Sequence, residues 1–376
     1  MRILITYQYF LPAYKAGGPI QSVNNIATFL SAVNGTELYI LCSDRDLDNS
    51  VLDVVTNKWV DFRKGVKVYY NSLSTKRADV LNIISGIKPD VIFINGLYSL
   101  PYTIYPLLYK KNCRKILSTR GMLHPGALSQ KSTKKKLFLT AFKMLGLHRQ
   151  CECHATTDDE VTYIKQIFGA DKKVWMVSNL PNVLDYQEPC TKAIGSVKLV
   201  SVSLISPMKN ILLVLQALKN VKANIVYHIY GPVKDQQYWD ECLKYMQQLP
   251  ANITVEYKGE VLPHLVEGVL KDYHYFILPS KSENFGHAIY EALSAGKPVI
   301  TSHNTPWNGL NIANAGYNVD PEHTAEFTSV LEEVASVGDA DYKNATFAAK
   351  EYITQQYNLD SIKSLYKKMF SSKGDA

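Results

Sequence analysis

The stretch Ser282–Ile300, SENFGHAIYEALSAGKPVI, carries two glutamates, Glu283 and Glu291, on either side of a helix start. Just ahead of it, YFILPS (Tyr275–Ser280) reads as a buried strand. KSENFG is then a loop, and HAIYEALSAG is a helix closed by Gly296 and Pro298. PVITS reads as the next strand, so the segment is one turn of a strand–helix–strand repeat. Asn284, Phe285 and Gly286 stand where a helix start leaves N–H groups without partners, an arrangement that suits an anion or a sugar hydroxyl. Glu291 follows Glu283 by eight residues, about 12 Å along a helix axis. That is too far for one shared proton. It suits one elongated ligand held at two points, since ionised carboxylates accept hydrogen bonds from vicinal hydroxyls. A nucleotide sugar has such hydroxyls at both ends and phosphates between. The plainer alternative, a helix-start charge and a surface residue, stays open on spacing alone.

The same alternation runs through the chain. Seven strand patterns fall in the first half: RILITYQY, ELYILCS, VKVYYN, DVIFING, KILSTRG, CHATT and VWMVSN. Six fall in the second: KLVSVSL, NIVYHIYG, NITVEYKG, HYFILPS, PVITS and GYNVD. Helical patterns lie between, such as PIQSVNNIATFLSAV with Ile20, Val23, Ile26, Ala27 and Leu30 on one face. The expected class is α/β, with two Rossmann-like doubly wound domains facing across a cleft, where ligands bind beyond the carboxyl ends of the strands. At 376 residues the chain is too long for one ordinary core. The polar, proline-containing stretch 181–198 reads as the linker. The expected division is one Rossmann-like domain over 1–190 and a second over 191–356. A C-terminal helix at about 357–376 is a candidate to pack back on the first.

Composition narrows the function. The net charge is +7, but Val91–Cys151 holds 11 Lys and Arg and no Asp or Glu, leaving −4 for the remainder. Such a patch suits phosphate-rich small molecules or anionic lipid. In its Lys131–Lys143 segment, Lys134, Lys135 and Lys136 are mixed with Leu137, Phe138, Leu139 and Phe142, a pattern open to either an anionic membrane surface or a packed helix with solvated lysines. No nucleic-acid module or aromatic-basic platform occurs, so no nucleic-acid partner is expected. The six cysteines have no CxxC spacing and read as reduced thiols, not metal ligands. The start MRILITYQYF reads as a strand and not a signal peptide, and no apolar run reaches membrane-spanning length. The expected location is cytoplasmic, peripheral at most to the inner face of a membrane.

Two further constellations fit an anionic ligand. YFLPAYKAGGPIQSV sets Gly17 and Gly18 before Pro19 at a helix start, which permits close backbone approach to a phosphate, though a tight turn reads equally well. It is not the GxGxxG dinucleotide fingerprint. ISPMKN places Lys209 at a strand-to-helix junction, able to neutralise a diphosphate.

These segments together resemble the retaining glycosyltransferases of the GT4 family, which have the GT-B fold. SENFGHAIYEALSAGKPVITS resembles the family's E-x7-E segment, GGP its N-terminal glycine loop, and STRGMLHPGAL its RGML segment. HATTDDEVTYIKQIFG and SNLPNVLD resemble the stretches leading to its linker, and ISPMKN its SPxKN loop. TPWNGL is similar to a segment of polysaccharide-assembly members.

The resemblance implies that Glu283 contacts the donor hexose and Glu291 the donor ribose. It implies that Lys209, with the amides of Phe285 and Gly286, holds the diphosphate, and that Gly18 lets the loop approach the leaving phosphate. Lys258–Leu262 would border the base. It implies no metal and no cofactor beyond a nucleotide-diphosphate sugar as co-substrate, and a saccharide or lipid-linked acceptor in surface glycan assembly. Glu283, Lys209 and Arg120 are thereby the catalytic candidates. The chain departs from the pattern at Leu204, where the family usually has arginine, and Arg120 could partly replace that charge. His124 and His287 are candidates for acceptor or sugar contact, with a structural role equally open. A catalytically weak sugar-nucleotide-binding subunit, and an epimerase or hydrolase of the same fold, are the alternatives.

Overall fold

A computed structural model of the chain describes residues 1–72, 76–129 and 132–371. It divides into two compact units: Met1–Leu180 with the chain from Leu359 onward, and Pro181–Asn358.

The first unit is built on an eight-stranded sheet. Its strands are β1 (Arg2–Thr6), β2 (Glu37–Ser43), β3 (Trp59–Arg63), β4 (Val66–Asn71), β5 (Val91–Asn95), β6 (Arg114–Ser118), β7 (Glu152–Ala155) and β8 (Val174–Met176). The order is β3-β4-β2-β1-β5-β6-β7-β8, parallel except for β3. Both faces are covered, as parallel sheets require. In β1, Ile3 and Ile5 enter one apolar core and Leu4 the other. β5 repeats this, with Phe93 on the first side and Ile92 and Ile94 on the second.

All seven strand patterns of the first half form strands, and β3 is an addition to them. It pairs antiparallel to β4 with an irregularity between Asp61 and Arg63, which breaks the two-residue period by which such a strand is recognised. Two helices close the described chain. A helix Asp339–Gln356 ends at Tyr357, which is extended, and a second helix runs Leu359–Ser371. The second places Tyr366, Met369 and Phe370 in the core of the first unit, and Arg114 donates to the carbonyls of Met369 and Phe370.

The second unit has six parallel strands: β9 (Ser196–Val202), β10 (Asn224–Tyr230), β11 (Ile253–Tyr257), β12 (Tyr275–Leu278), β13 (Val299–Ser302) and β14 (Gly316–Val319). Their order is β11-β10-β9-β12-β13-β14. Tyr275 and Ile277 of β12 face one core, Phe276 and Leu278 the other. The stretch 181–198 is bound to this unit. Leu184 donates its amide to Ser294 Oγ, Gln187 to the Ala295 carbonyl and Gly195 to the Ala335 carbonyl.

Each sheet reverses its strand order beside its first strand, between β1 and β5 and between β9 and β12. At such switch points the loops on the two sides part, leaving a crevice beyond the carboxyl ends of the strands. The candidate residues are distributed around these two places.

Candidate active site

In the second unit, Lys209 follows β9 and Glu283 follows β12, so the two lie on opposite sides of the switch point. The loops that carry them are joined through the backbone, Lys281 N donating to the Met208 carbonyl at 2.8 Å. The Lys209 ammonium forms an ion pair with Glu283 Oε1, and Ser280 Oγ donates to the same oxygen at 2.8 Å. The side chains retain 21% and 12% of their exposure, so the pair is largely shielded yet reachable. Glu283 N donates to the Asn304 carbonyl at 3.1 Å, fixing the loop from the far side. Asn210, in the left-handed region at φ 60°, turns the chain into the helix Ile211–Leu218 and anchors it by donating to the Pro321 carbonyl.

The helix His287–Ser294 starts at Gly286, whose φ of 75° favours glycine. A Cβ there would lie 3.1 Å from Ile289 Cδ1 and 3.3 Å from Trp307 Nε1. Trp307 donates to the Phe285 carbonyl at 2.5 Å, and the Phe285 ring packs against Trp307, Tyr290 and Tyr357. The carbonyl and ring of Phe285 are thus used for structure. The amides of Asn284, Phe285 and Gly286 have no acceptor among the described residues. Asn284 is exposed, while Phe285 and Gly286 are buried. His287 opens the helix with its ring 4.8 Å from that of Phe285.

Glu291 lies on the body of this helix, part-buried, and its carboxyl has no hydrogen bond or ion pair among the described residues. Burial pushes it up to about 8. A carboxyl in that state is poised either to donate or, once ionised, to accept from hydroxyls. The structure does not join it to Glu283.

The loop at Lys258–Leu262 is drawn to the same edge of the sheet. Gly231 N donates to the Gly259 carbonyl at 2.8 Å, and Lys258 pairs with Glu256. Gly231, at φ 132°, passes so near β9 that a Cβ would lie 1.9 Å from the Ser203 carbonyl oxygen.

In the first unit, Gly17 has a φ of 71° and precedes the helix Gly18–Ser31, with Gly18 exposed. Arg120 follows β6 with a φ of 52°, a conformation uncommon outside glycine and asparagine. Its Nε donates to Asn95 Oδ1 at 2.5 Å and its Nη1 to Asn179 Oδ1 at 2.8 Å. Ser22, one turn into the helix that Gly18 begins, donates to the same Asn179 oxygen at 3.1 Å. The helix that Gly18 begins and Arg120 therefore meet at Asn179. His124 stands apart from it: its Nδ1 accepts from Gly126 N at 3.0 Å and its ring meets Tyr163 edge-on.

Asn95, Asn179, Ser280 and Glu160 were not among the candidates read from sequence. Glu160 is buried and binds Thr119 Oγ1 and Gly121 N through one oxygen, and the amide and hydroxyl of Thr156 through the other. Burial pushes its carboxyl up, but these donors outweigh burial and hold it below the usual range. Asn95 is the last residue of β5 and Asn179 follows β8 by three residues, so both stand at or just beyond strand ends, where ligand-facing polar residues gather.

Residues 190–348 match the family model of glycosyl transferases group 1. No curated protein sequence matches the chain. Among solved structures, the fold is similar to sucrose-phosphate synthase from Thermosynechococcus elongatus at 13% identity, covering 99% of this chain and 100% of that one, with a TM-score of 0.71. Anabaena HepE in complex with UDP-glucose is similar at 15% identity, 99% and 100% coverage and a TM-score of 0.68. WaaG, a glycosyltransferase involved in lipopolysaccharide biosynthesis, is similar at 14% identity, 99% and 100% coverage and a TM-score of 0.69. The chain has the GT-B fold, and the match to the group 1 model falls within its second unit.

Proposed function

We propose that this protein is a metal-independent, retaining glycosyltransferase of the GT4 type, moving a hexose-type sugar from a nucleotide-diphosphate sugar to a saccharide or lipid-linked acceptor. The observation that carries the reading is the Lys209–Glu283 pair beside the unpartnered amides of Asn284, Phe285 and Gly286, inside the segment that matches the group 1 model. The amides and the lysine suit a diphosphate, and the two carboxyls suit hydroxyls beyond its ends. UDP-glucose in HepE supports a nucleotide sugar as donor.

In the reaction, the C1–O bond to the diphosphate breaks and the acceptor oxygen bonds to C1 on the same face. The leaving phosphate takes the acceptor proton. Lys209 and the helix-start amides stabilise the charge that develops on the departing oxygen. Glu283 exchanges its bond to Lys209 for hydroxyls of the sugar, which frees the ammonium for phosphate. Glu291 holds the ribose.

The acceptor side rests on the helix Ser132–Met144. Leu137, Met144 and Leu145 are 71%, 82% and 70% exposed, and Lys134 and Lys136 are exposed beside them. Lys135 is held inward by the Ala127 carbonyl and over the Tyr98 ring, and Lys131 lies outside the described residues. Apolar tips among lysines suit an anionic membrane surface, so we place the protein in the cytoplasm, peripheral to the inner face. The unpaired thiols of all six cysteines suit a reducing compartment. Among the described residues no helix is long and apolar enough to cross a membrane.

The test is thermal unfolding against UDP-, GDP-, ADP- and dTDP-sugars, followed by transfer assays on an acceptor panel with and without chelator. One donor class should raise the midpoint and support transfer with the chelator present. No stabilisation by any of them would end the reading. The second reading, a weak sugar-nucleotide-binding subunit, is favoured by Leu204; donor binding without transfer or hydrolysis would support it.

A further inference from the structure

Arg120 is the unusual cation of the first unit. Its backbone is left-handed at φ 52°, and Gly121 beside it is also left-handed at φ 69°. Glu160 grips this turn from both sides, binding Thr119 and Gly121 with one oxygen. A strained arginine so firmly fixed is a mark of a functional position. Its side chain is equally fixed. Asn95 takes Nε and Asn179 takes Nη1, but both supply neutral oxygens. Among the described residues, no carboxylate pairs with the guanidinium. Glu160 uses its oxygens on Thr119, Gly121 and Thr156, so the guanidinium's own hydrogen-bond partners are all neutral.

The donors left over agree. Arg120 Nη2 is buried with no hydrogen-bond partner, and so is Asn95 Nδ2. Asn95 is 2% exposed and in direct contact with Arg120, and accepting from Nε turns its amide nitrogen into a donor with nothing to receive it. The Tyr366 hydroxyl, buried nearby in the field of Arg120, has no partner either. Two unsatisfied donors, Arg120 Nη2 and Asn95 Nδ2, therefore meet near the carboxyl ends of β5 and β6. Burial and the Arg120 charge also hold the His154 imidazole down to about 4, so it adds no second cation near neutrality.

We propose that Arg120 and Asn95 form a binding site for one phosphoryl group, received by Arg120 Nη2 and Asn95 Nδ2, with Asn179 and Glu160 as the positioning residues that hold both donors in place. A phosphoryl group is all acceptor and offers oxygens to both unpartnered donors. The site stands on the geometry of the first unit. Only the source of the phosphoryl group, donor diphosphate or acceptor phosphate, rests on the transferase reading.

The test is thermal unfolding of the full chain titrated with inorganic phosphate, with acetate at matched ionic strength as comparator. Phosphate raises the wild-type midpoint and acetate does not. Asn95→Asp keeps the oxygen that Arg120 Nε uses and supplies a carboxylate. It is expected to raise the midpoint without ligand and to weaken the phosphate response about tenfold or more. A purely structural asparagine would not couple those two changes. Arg120→Gln, the second variant should Asn95→Asp not fold, also lowers the response. Lys209→Ala removes only the part that belongs to the second unit, and in that background Arg120→Gln abolishes the remainder. Saturating UDP removes the response if the group is the donor's and leaves it if the group is the acceptor's. An unresponsive wild type, equal response to acetate, or an undiminished response in Arg120→Gln or in folded Asn95→Asp overturns the proposal. Failure of donor-sugar binding alone would overturn the transferase reading and leave this site standing.

Discussion

The Lys209 ammonium and the Glu283 carboxylate are bonded to each other across the switch point between β9 and β12. Each neutralises the other, so a ligand must offer both a phosphate for the lysine and hydroxyls for the glutamate. Lys209→Ala is expected to lower turnover by about a hundredfold. Glu283→Gln, which keeps the shape and loses the charge, is expected to lower it at least about tenfold. Steady-state assays of donor turnover check both; near-wild-type rates in the two variants would refute the assigned roles.

The raised Glu291 carboxyl has a definite signature in stability. Its folded value of about 8 lies above its unfolded value, so the folded state holds the extra proton in between. The stabilisation is full at low pH and is lost as pH rises toward about 8. One such group gives a slope of at most about 1.4 kcal/mol per pH unit. Glu291→Gln, neutral throughout, should flatten the profile between pH 5 and about 8. Urea unfolding across that range measures it, and identical slopes for the two proteins would sink the assignment.

Gly286→Ala tests the helix start. The added Cβ meets Ile289 and Trp307 in a left-handed conformation. A loss of about 1–3 kcal/mol is expected, together with weaker nucleotide binding because the neighbouring amides shift. Calorimetric titration with nucleoside diphosphate distinguishes the two effects; unchanged affinity would mean those amides do not touch phosphate.

The surface helix Ser132–Met144 makes a salt-dependent prediction. Neutralising Lys134 and Lys136 should weaken binding to anionic vesicles by about 2 kcal/mol, near thirtyfold, since each exposed lysine contributes about 1 kcal/mol at such a surface. Replacing Leu137 and Met144 by serine should weaken it further without altering donor turnover on a soluble acceptor. Co-sedimentation checks this, and full retention by the lysine variant would leave the surface with no such role.

Much of this architecture was legible because parallel strands buried on both faces advertise themselves as short apolar runs between helical periods. Every such run became a strand. β3 escaped because its irregular register scrambles the alternation of Trp59, Val60 and Phe62, and an edge strand needs no continuous apolar pattern. The site divides in the same way. Lys209, Glu283 and Gly286 stand at strand-to-helix junctions, where backbone logic alone points to a ligand. Asn95, Asn179 and Glu160 matter through Arg120 and Gly121, across 25, 59 and 39 residues of chain, and no local spacing encodes that. Glu291 was legible by position. Its unusual acidity was not, because that comes from what packs over the helix.

The helix Leu359–Ser371 completes the core of the first unit with Tyr366, Met369 and Phe370. That unit is therefore the first to leave the ribosome and the last to be finished. Its opening 180 residues must wait while Pro181–Asn358 is made, roughly 10–40 s at ordinary rates of translation. During that interval one apolar flank of the nascent sheet is bare, so Pro181–Asn358 is positioned to mature ahead of the unit that precedes it, and chaperone capture would fall on the unit that awaits its helix.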